Sequence, residues 1–291
     1  MDIQQNSLRA WLLAARPKTL TAAAVPVIIA VSMAAGCGVR WLPAVLCLLF
    51  AWVMQIDSNL VNDYFDFVRG NDDETRLGPK RACAEGWVTL RAMRIAIAAT
   101  TLAGCALGLP LVLWGGGQMV LVGAACVVFC FLYTTTLSYH GMGDVLVLLF
   151  FGVVPVCCTF FLVTPEGTGM PWQVVTASVA CGLVVDTLLV VNNYRDHDND
   201  LRAGKRTLVV RIGRQNSELL YLLLGIVPAV VMMTLQANLL LLVYVYMHTT
   251  TWRRMKQIAR GSALNYILGA TARNIFLFGL LNTTQIFHSL W

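Results

Sequence analysis

Long apolar runs dominate the chain, separated by short turns and by a few polar segments rich in charge. A bilayer core of about 30 Å takes roughly 20 residues of helix per crossing. The runs are long and do not alternate as half-buried strands would, so helices are expected. The pattern predicts nine transmembrane spans, at about 19–39, 44–62, 92–114, 119–136, 144–163, 172–194, 217–235, 239–252 and 264–287. Gly115-Gly116-Gly117 and Pro165-Glu166-Gly167 supply tight turns. Residues 10–18 read as an interfacial helix anchored by Trp11 and Arg16. Two polar segments, 63–89 and 195–216, follow the second and sixth spans.

Composition agrees with this layout. Of 291 residues, 58% are hydrophobic and 12% charged, and the mean hydropathy is +0.69. Such a chain is an all-α polytopic membrane protein rather than a soluble one, because backbone polar groups in lipid must pair within helices or a closed barrel. The nine cysteines lie mostly in apolar runs without metal or disulfide spacing, and read as small packing residues. No cleavage site follows the polar N-terminal lead, so a removed signal peptide is not expected. The net charge of +6 invites a nucleic-acid reading. However, all basic residues except Arg40 and Arg273 fall on one side of the nine-span topology. The positive-inside rule then explains the charge, placing the N-terminus in the cytoplasm and the C-terminus outside.

Against so little charge, two clusters stand out. The second span closes on Asn62-Asp63-Tyr64-Phe65-Asp66, trailed by Lys80-Arg81; the sixth closes on Asn192-Asn193-Tyr194-Arg195-Asp196, then Asp200 and Lys205-Arg206. Asn62, Tyr64 and Asp66 share offsets with Asn192, Tyr194 and Asp196, four spans apart, which suggests two related four-helix halves plus one further helix. Asn62 and Asp66 are four residues apart, as are Asp196 and Asp200, so each pair shares a helix face. Paired carboxylates repel near a low dielectric unless a cation lies between them. Oxygen-only donors suit Mg2+, which shares its shell with phosphate, and the trailing Lys-Arg pairs suit the phosphate itself. One such cluster would read as an ordinary charged helix end. Two of them point to a Mg2+–diphosphate site whose ligand has an apolar tail.

These residues resemble the UbiA-type intramembrane prenyltransferases. The resemblance rests on Ala15-Arg16-Pro17-Lys18-Thr19-Leu20, on Asn59 through Asp66, on Arg76-Leu77-Gly78-Pro79-Lys80-Arg81 and on Asn192 through Gly213. It runs from about residue 10 to 285, and is strongest to the branch that prenylates 1,4-dihydroxy-2-naphthoate in menaquinone synthesis. It implies one nine-helix domain around a central cavity, in the inner (plasma) membrane, with the two motifs facing each other. Gly70 stands where the superfamily's first motif has a third carboxylate, as in the naphthoate branch. Tyr133-Thr134-Thr135-Thr136 departs from that branch's Tyr-Thr-Gly-Gly, while Gly143-Asp144 agrees with it.

The family mechanism implies Mg2+ on Asn62, Asp66, Asp196 and Asp200, with Asp63 and Asn192 as further ligand candidates. Lys80, Arg81, Lys205 and Arg206 would stabilise the departing diphosphate, and Tyr133 or Tyr64 the allylic cation. The substrates implied are a polyprenyl diphosphate and the naphthoate, joined with loss of CO2; no obligatory protein partner is expected. The alternatives are a UbiA-type enzyme with another aromatic acceptor and, from a different class, a secondary transporter.

Several residues stay open at this stage. Asp57 and Asp186 lie inside spans and read either as cavity-lining groups or as hydrogen-bonded structural ones. Arg273 reads as a snorkelling side chain and His197 as a solvated one. His140, His248 and His288 have no ligand spacing. Asp72-Asp73-Glu74 reads as a solvated loop.

Overall fold

The computed structural model describes residues 3–70 and 76–283. Among them the regular structure is helical throughout, with no strand. The main helices are α1 (Leu8–Ala15), α2 (Leu20–Ala34), α3 (Trp41–Val68), α4 (Leu90–Gly108) and α5 (Gln118–Thr135). They continue with α6 (Gly143–Val163), α7 (Trp172–Arg202), α8 (Leu208–Gln236), α9 (Leu241–Ile258) and α10 (Leu264–Asn282). The loop triad Asp72-Asp73-Glu74, His288 and the end of the ninth predicted span lie outside the described residues.

Eight helical stretches among the described residues are long and apolar enough to cross a membrane. The exception is α9, the eighth predicted span, which runs past its expected end to Ile258 and takes in Arg253, Arg254 and Lys256. The helices carrying the acidic motifs also outrun their apolar stretches, α3 to Val68 and α7 to Arg202. Asn62, Asp66, Asp196 and Asp200 are therefore helical. Hydropathy marks where lipid ends, not where backbone hydrogen bonding ends.

Helix α1 is separated from α2 by Arg16, which adopts a left-handed conformation (φ 51°). The Asn59 amide of α3 secures this corner, donating at 2.9 Å to both the Ala15 carbonyl and Thr19 Oγ1. Helix α2 packs against α3, α6, α7 and α10, and α7 against α6, α8 and α10. Thus α10 closes the bundle between the halves α2–α5 and α6–α9. Both α3 and α7 are the second helix of their half, and both end in an acidic motif. Small residues let backbones approach, as lipid-embedded packing favours. A Cβ on Gly152 would lie 2.5 Å from the Ser178 carbonyl and 2.7 Å from Gly182 Cα. Val25, Ile29, Phe160, Val184 and Phe278 form part of the core joining α2, α6, α7 and α10. Leu102, Leu113, Leu121 and Val227 are exposed, an outer surface suited to lipid.

Candidate active site

Asn62 and Asp66 share one face of the last turns of α3. Arg81, from the segment after that helix, folds back onto both: its Nη2 donates to Asn62 Oδ1 at 2.6 Å and to Asp66 Oδ2 at 3.1 Å. Asp63 points elsewhere. Its two oxygens accept the backbone N–H groups of Ala82 and Cys83, each at 2.9 Å, and Arg16 lies 4.0 Å away. Adjacent residues on one helix thus divide the work, Asp63 fixing the loop and Asn62 with Asp66 receiving its arginine. Gly70, at φ +72°, ends the turn beyond α3.

The end of α7 repeats the arrangement with an arginine of its own. Arg195 donates from Nη2 to Asn192 Oδ1 at 2.9 Å, and from Nε and Nη2 to the two oxygens of Asp196 at 2.8 and 2.5 Å. Its Nη1 donates to Asn265 Oδ1 of α10 at 2.8 Å, and the Asn265 amide donates to the Leu77 carbonyl at 2.8 Å. This guanidinium is 1% exposed. A Cβ on Gly78 would come within 2.8 Å of Arg195 Nη2, so the loop backbone lies directly against it. Asp200, 8% exposed, has the Lys205 ammonium 3.8 Å away.

The two motifs converge. Arg69, just beyond α3, and Lys205, just beyond α7, both approach the Tyr139 ring, at 5.2 and 5.0 Å from its centroid. Arg69 also donates to the Thr134 carbonyl, and the Arg206 backbone N–H to the Tyr139 carbonyl. Asp200 lies within electrostatic reach of Asp66, and Tyr133 within reach of both. Tyr133 also lines a small cavity with Gly143, Asp144, Leu189, Asn193 and Thr207.

Not every candidate joins this centre. Lys80 is exposed and paired with Glu85 at 2.6 Å, and Arg206 is exposed, meeting the site through its backbone. Tyr64 packs edge-on to Phe65, on the apolar side of α3 against α1 and α4. Asp57 is fully buried and hydrogen-bonded, accepting Thr100 Oγ1 at 2.5 Å and Thr101 Oγ1 at 3.0 Å; it ties α3 to α4. His197 lies 2.8 Å from Asp198, which also meets Arg214 at 3.2 Å. His248 stacks between Tyr221 and Tyr244, and His140 Nδ1 lies 2.9 Å from the Thr136 carbonyl. Arg273 is exposed midway along α10. Sequence reasoning missed Arg195, Asn265 and Tyr139 as site residues. Arg195 had a signal, since it adjoins Asp196 in the motif, but its charge was absorbed by topology.

Asn62, Asp66, Asp196 and Asp200 offer only oxygen, the donor set of a hard cation. Among the described residues no three His, Cys, Asp or Glu side chains gather closely enough to hold a metal alone. Mg2+ requires no such cage, because it keeps waters and binds through one or two carboxylates plus phosphate oxygens. The residues therefore fit a cation that arrives with its anion.

This geometry defines a multi-pass membrane protein with amide, carboxylate and guanidinium groups converging at one end of an apolar bundle. The chain belongs to the UbiA prenyltransferase family, which it matches over residues 23–261, and it is a prenyltransferase. It is 36% identical over 224 residues to the 1,4-dihydroxy-2-naphthoate octaprenyltransferase of Escherichia coli, covering 74% of this chain and 72% of that one. It is 35% identical to the Mycobacterium tuberculosis protein of the same name, over 74% of each chain. The fold is similar to a UbiA homolog from Aeropyrum pernix, with a TM-score of 0.68 at 14% identity, over 89% and 96% of the two chains. It is also similar to an Archaeoglobus fulgidus homolog bound to DMAPP and Mg2+, with a TM-score of 0.62 at 12% identity, over 94% and 99%.

Proposed function

We propose that the protein transfers a polyprenyl group from its diphosphate to 1,4-dihydroxy-2-naphthoate, releasing diphosphate and CO2 and giving demethylmenaquinol. The observation that carries this reading is the doubled motif: Arg81 on Asn62 and Asp66, and Arg195 on Asn192 and Asp196, with Asp66 and Asp200 in mutual electrostatic reach. The two named octaprenyltransferase relatives support the choice of acceptor.

In this reading Asn62, Asp66, Asp196 and Asp200 hold Mg2+, and Arg81 and Arg195 keep those oxygens oriented. Bound there, Mg2+ would neutralise the diphosphate and make it a better leaving group. Arg69 and Lys205 lie on the Tyr139 face, where they balance charge building on the departing diphosphate. The Tyr133 ring faces the allylic carbon as positive charge develops on it. The apolar bundle receives the prenyl tail, and the motif end faces the cytoplasm by the positive-inside rule.

Purified protein incubated with Mg2+, a prenyl diphosphate and a panel of aromatic acids tests the acceptor. Turnover of the naphthoate with loss of one CO2 per product is expected. Turnover of 4-hydroxybenzoate in its place would assign the chain to a different acceptor within the family.

A further inference from the structure

One carboxylate pair with buried oxygens is left over once the diphosphate site is accounted for. Asp186 is 4% exposed, and its Oδ1 has no hydrogen-bond partner among the described residues; neither has the buried Oδ1 of Asp144. The two are close enough to interact, and both lie within electrostatic reach of Tyr133. Among the described residues no salt bridge reaches either, in contrast to Asp66, Asp196 and Asp200.

A small cavity adjoins the pair on the Asp144 side. Asp144 lines it together with Tyr133, Gly143, Leu189 and Asn193. Asp186, Leu189 and Asn193 recur at helical spacing, so Asp186 continues the cavity-facing stripe of α7 toward the bundle interior. Gly143 keeps the space open: a Cβ there would lie 3.2 Å from Leu189 Cδ2 and 3.9 Å from the Tyr133 hydroxyl. Burying polar oxygens without partners is costly. Asp57 shows the contrast, since an equally buried carboxylate on α3 is satisfied by two threonines. A carboxylate pair carrying one proton offers a donor and an acceptor together, which matches a ligand bearing hydroxyl groups on a flat ring.

We propose that Asp144 and Asp186 form the acceptor-side acid–base pair, binding a ring hydroxyl of the aromatic substrate and carrying its proton through the reaction. The inference rests on the aromatic prenyl transfer proposed above. As the ring carbon bonds to the allylic carbon, the carbon–oxygen bond to diphosphate breaks and its electron pair leaves with diphosphate. The hydroxyl proton passes to the carboxylate pair, and the hydroxyl becomes a carbonyl. The ring carboxylate then leaves as CO2, its bonding electrons restore the aromatic ring, and the carbonyl oxygen regains the proton from the pair. No oxidant and no net proton is required.

The test compares wild type with Asp186→Asn, Asp186→Glu and Asp144→Asn, using 1,4-dihydroxy-2-naphthoate and its O-methyl ethers. Asp186→Asn is expected to lower kcat/KM for the hydroxyl-bearing acceptor about 100-fold, while prenyl diphosphate affinity stays within about twofold. Asp186→Glu is expected to recover part of the loss. Wild type should discriminate against one O-methyl ether, and Asp186→Asn should lose that discrimination. The inference is overturned if Asp186→Asn keeps wild-type kcat/KM, or if donor and acceptor affinities fall together as in a merely structural defect. Should wild type turn over a different aromatic acid, the naphthoate reading fails and the same series is run on that acid. Should it turn over none, naphthoate binding followed by tryptophan fluorescence decides: weaker binding in Asp186→Asn supports the pair, and unchanged binding refutes it.

Discussion

Arg195 grips its own chain neighbour, Asp196, by a two-point fork, Nε to Oδ1 at 2.8 Å and Nη2 to Oδ2 at 2.5 Å. With Asn192 and Asn265 completing its contacts, the guanidinium fixes how Asp196 presents itself. Lysine keeps the charge but loses the planar fork. Arg195→Lys is therefore expected to reduce prenyl transfer about 10–100-fold, the usual effect of removing a group that orients a ligating side chain. Steady-state kinetics at varied Mg2+ check this, with a higher Mg2+ requirement expected.

Gly78 lies against that same guanidinium. A Cβ would sit 2.8 Å from Arg195 Nη2, and Arg195 is held by four hydrogen-bonded oxygens and cannot swing aside cheaply. Gly78→Ala is expected to shift the loop and lower kcat/KM for the prenyl diphosphate by about 10–100-fold, with KM for the acceptor little changed. Kinetics with each substrate varied in turn will separate the two.

Asp63 carries the loop rather than the ligand. Asparagine keeps one neutral acceptor oxygen, so one backbone N–H at Ala82 or Cys83 loses its acceptor and the other loses its charged partner. A hydrogen bond to a charged group contributes about 1.5–3 kcal/mol. Asp63→Asn is expected to speed limited proteolysis within residues 76–89 and to raise KM for the prenyl diphosphate. Cleavage rates on detergent-purified protein test the first of these.

Asp57 belongs to packing. Asp57→Ala removes the acceptor for Thr100 and Thr101, although both hydroxyls retain backbone carbonyls on α4. A loss of about 1–3 kcal/mol is expected, seen as a lower apparent Tm with both KM values unchanged. A large change in KM would place Asp57 in the substrate cavity instead.

The motifs were legible because their logic is local: Asn62 with Asp66, and Asp196 with Asp200, are each related by one helical turn. What remained hidden depends on contacts between distant segments. Asn265 joins Arg195 to the Leu77 carbonyl across 188 residues of chain, and no spacing rule reports that. Asp57 and Asp186 look alike as intramembrane carboxylates, yet one meets two threonines on a neighbouring helix and the other keeps an oxygen without a partner among the described residues. Asp63 and Asn62 are adjacent, and only the rotation of α3 shows that they face different partners. The polarity of α9 was hidden for another reason, because its helix continues into a basic segment that the apolar run had already left.

The most direct test of a single site shared by α3 and α7 is Mg2+-dependent binding of a non-reacting prenyl thiodiphosphate to wild type, Asp66→Ala, Asp200→Ala and the double variant. Chelation of Mg2+ and either single substitution should each weaken binding at least about tenfold, a loss of about 1.4 kcal/mol. The double variant should lose clearly less than the two single losses added together, because both residues act on one ligand. Full Mg2+-dependent affinity in either single variant would contradict the account.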